Sequence, residues 1–270
     1  MANPPVGYAN INNARFYYEM QGQGQPLVLI NAGDFDCRMW DDQFTAFSEF
    51  YRVLRYDGRG YGQTTTQAEE PFSHIHDLYA LLDFVEMDRA ILVGSSFGAR
   101  IALDFALQYP KRVSKLVLVS PGLNGYEFSS DPFEAYDQAL TAAFENDDLE
   151  QAVEISLRMW VDGWSRPAGE VNSDVRERVK AMLSHAYQLP EPTEPEPLDP
   201  PAIDRLTEIQ QPSLIVTGAA DIADILTIAD ILTNQIAGAQ RITIPNAAHM
   251  VNMEQAAMFN QQVLAFLQAS

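Results

Sequence analysis

Among 270 residues the chain has one cysteine, Cys37, so no disulfide can close within it. There is no Cys-x-x-Cys pair or Cys/His cluster of metal-ligand spacing, so a structural zinc is not expected, and a reducing, cytoplasmic setting is. Long apolar runs are missing too. None approaches the ~20 residues that a membrane helix requires, and residues 1–10 carry no basic segment leading into an apolar one, so neither a span nor an export leader is expected. Cations are scarce: 17 Lys and Arg stand against 37 Asp and Glu, a formal net charge of -20. That excess repels nucleic acid and anionic membrane surfaces, so neither is expected as a partner. No repeat of fixed period is present, which sets solenoids and propellers aside. Apolar side chain is abundant: 47% of positions are hydrophobic, enough for one large core with or without an insert.

Short apolar runs rich in β-branched residues alternate with stretches of helical periodicity, the pattern of an α/β fold with a mostly parallel, doubly wound sheet. Strands are expected at 15–20, 27–31, 52–56, 90–94, 115–120, 213–217 and 241–244. Helices are expected at 39–50, 73–85, 97–109, 222–235 and 251–268, with Pro110 stopping the third. After Gly122 the texture changes. Residues 132–186 carry mainly helical segments, and 190–201 (PEPTEPEPLDPP) is acidic and proline-dense. The expected organisation is a core at 1–122, a helical cap insert with its return linker at 123–201, and a second core part at 202–270.

Between the fourth of these strands and the following helix lies Gly94-Ser95-Ser96-Phe97-Gly98, a G-x-S-x-G turn in the strand-turn-helix context that the motif needs. A nucleophilic hydroxyl held at the tip of a sharp turn requires small neighbours two residues away on each side. Gly94 and Gly98 meet that need around Ser96; around Ser95 the cramped places would fall to Val93 and Phe97. Ser96 would also sit at a helix N-terminus, where unpaired N–H groups can hold a developing oxyanion. The competing reading is a glycine-rich turn with a surface serine, as in nucleotide-binding folds. A G-x-G-x-x-G fingerprint and a Gly-Lys-Ser/Thr ending are both absent.

A serine hydroxyl needs a histidine to take its proton and a carboxylate to orient that ring. Of four histidines, His249 alone follows a late strand on a loop at the carboxyl edge of the sheet, the edge that carries Ser96. His74, His76 and His185 suit capping, packed or solvated roles better. Asp221, after strand 213–217, lies on the same edge; Asp224 and Asp230 compete with it, with helix-terminal or solvated roles as their alternative.

These residues resemble the α/β-hydrolase superfamily over nearly the whole chain. Residues 31–41 (NAGDFDCRMWD) resemble its His-Gly or His-Ala-Gly segment after the third strand, 57–62 (DGRGYG) its D-x-R-G-x-G-x-S turn, and 249–255 (HMVNMEQ) the segment beginning at its catalytic histidine. The resemblance implies backbone oxyanion donors at Gly33 and Phe97. Departures are Asn31 for histidine, Ala32 for glycine, Ser95 for histidine or asparagine, and Ala99 for a second glycine. A serine at position 96 speaks against the haloalkane dehalogenase and epoxide hydrolase branches, which attack with aspartate. Within the serine branch the chain is similar to carboxylesterases and to enol-lactone hydrolases of the 3-oxoadipate type. Carbon–carbon bond hydrolases rank third, because Met250 rather than an aromatic follows His249.

The expected activity is hydrolysis of a small carboxylic ester through an acyl-enzyme, with Ser96, His249 and Asp221 as triad and no metal or organic cofactor. Lactone hydrolysis, carbon–carbon cleavage and a triad-retaining ligand-binding protein are the alternatives. Arg38 and Arg59 are expected to pair with Asp57 or another local carboxylate rather than to bind a substrate anion. The insert's Phe133, Tyr136, Phe144, Met159, Trp160 and Trp164 are read first as its own core and seat, and second as pocket lining.

Overall fold

A computed structural model describes residues 5–66, 71–167, 169–190 and 195–269. Residues 1–4 of the polar start and 191–194 of the proline-rich stretch lie outside the described residues. In chain order the elements are β1 (Val6–Ile11), β2 (Ala14–Gln21), β3 (Pro26–Ile30), α1 (Asp41–Phe47), β4 (Arg52–Tyr56), β5 (Thr65–Thr66), α2 (His74–Phe84), β6 (Ala90–Ser95) and α3 (Phe97–Gln108). They continue with β7 (Val113–Val119), α4 (Asp131–Glu145), α5 (Leu149–Leu157), α6 (Ser173–Ala186), β8 (Ser213–Gly218), α7 (Ala223–Gln235), β9 (Gln240–Ile244), α8 (Val251–Glu254) and α9 (Ala256–Gln268).

The sheet runs β1-β2-β4-β3-β6-β7-β8-β9, with β5 on β2. From β4 to β9 neighbours are parallel; β1 and β2 add an antiparallel edge. The inner strands read as continuous apolar runs because helices cover both faces. Their side chains alternate between two cores: Val28, Ile30 and Leu92 face α2, α3 and α7, whereas Leu27, Leu29 and Val93 face α1 and α9. Each such fully buried aliphatic side chain stabilises the fold by about 1.5–3 kcal/mol. The chain reverses its direction of travel across the sheet between β3 and β6, and the crevice at the carboxyl ends of that pair is where open α/β sheets bind ligands.

Four differences from the expected elements appear, one of them β5, a two-residue exposed strand on β2. β1 is not among the expected strands, because it is a short edge strand with only Ala9 fully buried. Its signal was the Asn12-Asn13 pair, both residues at positive φ (47° and 56°), as a two-residue hairpin turn demands. The helix expected at 39–50 begins as a single helical turn, Cys37–Trp40, and ends at Phe47. The last helix is broken at Gln255 into α8 and α9. Between β7 and β8 the chain inserts α4, α5, a π-helical turn at Arg158–Gly163, and α6. No helix among the described residues is long and apolar enough to cross a membrane.

Candidate active site

The β6–α3 turn is set by backbone collision. A Cβ at residue 94 would lie 2.2 Å from the Gly98 carbonyl oxygen, and one at residue 98 would lie 2.4 Å from the carbonyls of Ile30 and Asn31. Glycine at both places lets β6, α3 and the end of β3 close on one another. The turn throws Ser96 into φ 52°, ψ -113°, a strained conformation for a residue with a side chain. Its carbonyl accepts from the N–H groups of Ala99, Arg100 and Gly122, which locks the turn. Ser95 is buried, with its hydroxyl unpartnered, while Ser96 is partly exposed on the wall of a cavity of about 140 Å³.

His249 lines the same cavity. Its Nδ1 lies 3.1 Å from both Oδ1 and Oδ2 of Asp221, and the two side chains are 3% and 1% exposed, so little water competes for that contact. The two loops are sewn together: the N–H of Ala219 donates to the Ile244 carbonyl, and that of Ala220 to Ala247. Glu254 holds the histidine loop from the other side by accepting from the Ala248 N–H at 2.8 Å, and it pairs with Arg166 of the insert at 2.7 Å. Burial pushes the Glu254 carboxyl above its ordinary value, against the pull of Arg166 and the Ala248 N–H. Among the described residues the Ser96 hydroxyl and the His249 ring do not hydrogen-bond; they share the cavity. Such bonds are often long before substrate binds and tighten in the complex.

Gly33 and Phe97 also line the cavity, and a Cβ at residue 33 would sit 3.6 Å from that of Phe97, so the two backbones approach closely. As the first residue of α3, Phe97 has no helical partner for its N–H. Asn31, where the resemblance expects histidine, donates its side-chain amide to the Tyr56 carbonyl at 2.8 Å and so ties the β3 loop to β4.

The competing candidates fall elsewhere. Asp224 accepts from the Tyr126 hydroxyl and the N–H groups of Ser129 and Ser130, anchoring the start of α4. Burial works against its charge, yet these bonds hold its carboxyl below the ordinary value. Asp230 pairs with Arg241. His74 packs edge-on against Phe72 and Phe97, and burial pushes its pKa down to about 4. His185 meets the Gly62 carbonyl at 3.2 Å, and His76 is exposed. Arg38 pairs with Asp36, and Arg59 with Asp77 rather than with Asp57; the Asp57 carboxylate instead accepts from the N–H groups of Cys37 and Gln63. No group of three His, Cys, Asp or Glu side chains among the described residues is placed to hold a metal ion.

Residues 25–256 match the model of a family described as the alpha/beta hydrolase fold. The chain belongs to that family. This alpha/beta hydrolase is 27% identical to the pimeloyl-[acyl-carrier protein] methyl ester esterase of Vibrio campbellii, across 94% of this chain and 99% of that one. It is 24% identical to the 2-hydroxy-6-oxononadienedioate/2-hydroxy-6-oxononatrienedioate hydrolase of Comamonas testosteroni, across 97% and 94%. Among solved structures it is similar to a hydrolase from Pseudomonas aeruginosa, with a TM-score of 0.78, 27% identity and 98% of each chain covered.

In the rest of the hydrolase's cavity wall, Tyr136 and Trp160 take the second of the two roles expected of the insert's aromatics, pocket lining, and Leu183 joins them unanticipated. The Trp160 ring lies 4.5 Å from that of His249 and 5.3 Å from that of Tyr136, and all three line the cavity with Leu183 of α6. Of the other aromatics of the insert, Phe133 packs between Phe128 and Tyr136 and Phe144 against Tyr187, whereas Trp164 is exposed and belongs neither to the insert's core nor to its seat. Ala32, Asp34 and Phe35, from the loop after β3, and Met250 also line it.

Proposed function

We propose that this alpha/beta hydrolase cleaves a carboxylic ester of a small molecule through an acyl-enzyme. In this reading Ser96 is the nucleophile, His249 the general base and later the acid, and Asp221 the carboxylate that fixes the ring's tautomer. The N–H groups of Gly33 and Phe97 receive the oxyanion, and residues 123–201 form the cap. The observation that carries the reading is the strained Ser96 on the wall of a cavity it shares with a histidine, whose far nitrogen rests between both oxygens of a buried aspartate.

With Nδ1–H donated to Asp221, the ring presents Nε2 as the base. It takes the Ser96 proton as Oγ attacks the acyl carbon, and the negative oxygen that results is met by the two backbone N–H groups. The imidazolium then protonates the leaving alcohol. Water, deprotonated by the same ring, attacks the acyl-enzyme and releases the acid. A preorganised oxyanion donor of this kind contributes about 3–4 kcal/mol of transition-state stabilisation.

A dioate, the substrate class printed in the name of the Comamonas relative, carries two carboxylates. Neither lysine nor arginine occurs among the described residues that line this cavity to receive them. That favours an ester over a dioate substrate.

The test is turnover of a short p-nitrophenyl ester. The wild type should show an acyl-enzyme burst, and Ser96→Ala should lose about 10⁶-fold in kcat while keeping its thermal transition. An undiminished rate in Ser96→Ala would contradict the proposal.

A further inference from the structure

All three side-chain nitrogens of Arg166 are engaged. Nε donates to the Asp162 carbonyl at 2.6 Å and Nη2 to that of Val161 at 2.7 Å, so the guanidinium closes the π-helical turn that carries Trp160. Nη1 reaches the other way, to Oε2 of Glu254 at 2.7 Å and to the Asn246 carbonyl at 3.4 Å. Glu254 passes the contact on, because its other oxygen, Oε1, accepts from the N–H of Ala248, the residue before His249. The two charged side chains are 11% and 4% exposed, so water competes little for them. Gly163, at φ 79°, lets the turn come down on the histidine loop; a Cβ there would lie 2.9 Å from that of Ala248. Two lines of contact thus run from the insert to His249: the Trp160 ring, 4.5 Å from the imidazole, and the Arg166–Glu254–Ala248 relay to its backbone. One guanidinium anchors both.

We propose, resting on the hydrolase reading above, that Arg166 and Glu254 are positioning residues that make the placement of His249 depend on the insert being seated. Neither lines the cavity, so neither touches the reacting atoms. A displacement of about 1 Å at a reacting group costs about 10²-fold in rate. A link that fixes both the backbone of the base and its aromatic neighbour therefore acts on kcat rather than on substrate binding. Burial makes the link unforgiving: removing either partner strands the other charge away from water, whereas removing both strands none.

The experiment separates positioning from stability. Arg166→Met and Glu254→Gln each break the relay; the amide has one acceptor oxygen where the carboxylate has two, and cannot serve both Arg166 and Ala248. Each should lower the thermal midpoint, and each should lower kcat on p-nitrophenyl acetate by about 10²-fold with KM changed by less than about threefold. In the double variant no charge is left alone, so the midpoint should recover towards that of the wild type, while kcat stays down by about the same 10²-fold. Recovery of kcat together with the midpoint would mark the pair as purely structural and overturn the proposal. So would a kcat within about twofold of the wild type in both single variants.

A second readout needs no turnover: exchange with water of the proton on Nδ1 of His249, followed by NMR. Held against Asp221 by a seated loop, that proton exchanges only through local opening, and it should exchange at least about tenfold faster in the two single variants and in the double. Faster exchange supports the assignment even where no ester is turned over. Exchange unchanged in all three variants overturns it.

Discussion

Ser96 and Trp160 face the same cavity but are held there by different means. Ser96 is placed by backbone: two glycines whose missing Cβ atoms would strike carbonyl oxygens, a positive φ, and three N–H groups closing on its own carbonyl. Trp160 is placed by side chains, between the His249 and Tyr136 rings in a π-helical turn that the Arg166–Glu254 pair clips to the histidine loop. Backbone collision leaves few alternatives, whereas ring packing can be rebuilt with other residues of similar volume. In the proposed mechanism the rim of the sheet carries the chemistry and the insert tunes what enters.

That contrast can be broken at the rim first. Asp221→Asn should lower kcat by about 10⁴ at nearly unchanged KM, because the amide favours the wrong ring tautomer; a steady-state assay that found a KM effect alone would move Asp221 out of the chemistry. Gly98→Ala should be the most damaging small substitution at the turn, costing about 3 kcal/mol or more in urea unfolding, since the added methyl meets two backbone carbonyls. An unchanged unfolding midpoint would mean that the turn is looser than its contacts imply.

On the side of the insert, Trp160→Ala should raise KM or change acyl preference by about tenfold, with kcat on a small acetate ester changed by less than about threefold. A loss as large as that of Asp221→Asn would erase the division between the two regions. A further effect expected is one of pH. His74, packed against Phe97, has its folded pKa lowered by burial to about 4. Between its unfolded pKa of ~6.5 and that value the unfolded chain binds the extra proton, so stability is full above the window and falls as pH drops through it. His74→Phe should flatten this acid limb by about 2 kcal/mol, read as unfolding free energy against pH. An unaltered slope would place the acid sensitivity elsewhere, such as in the insert.

The same contrast governs what could be read before any coordinates. The turn at Ser96 was legible because steric demand appears as residue type at fixed spacing, Gly94 and Gly98 about a serine. The loop bearing Asp221 was legible because it follows an apolar inner strand, β8, and the loop bearing His249 because it follows β9, at the sheet's edge, just before the last helices. The cavity wall was legible only as an unsorted set of aromatics in the insert. Tyr136, Trp160 and Leu183 meet Ser96 through tertiary packing across 40 to 87 positions of chain, and nothing local separates Trp160, which faces the site, from Trp164, which faces solvent. β1 was hidden because an edge strand buries too little to show an apolar run, although the Asn-Asn turn beside it was a usable sign.

The account turns on Ser96 being made nucleophilic by His249. A fluorophosphonate probe followed by peptide mass spectrometry tests this directly: the adduct should lie on the peptide bearing Ser96, form at least about 10³-fold more slowly in His249→Ala, and be absent in Ser96→Ala. An adduct on another residue, or labelling that persists undiminished in either variant, would contradict it.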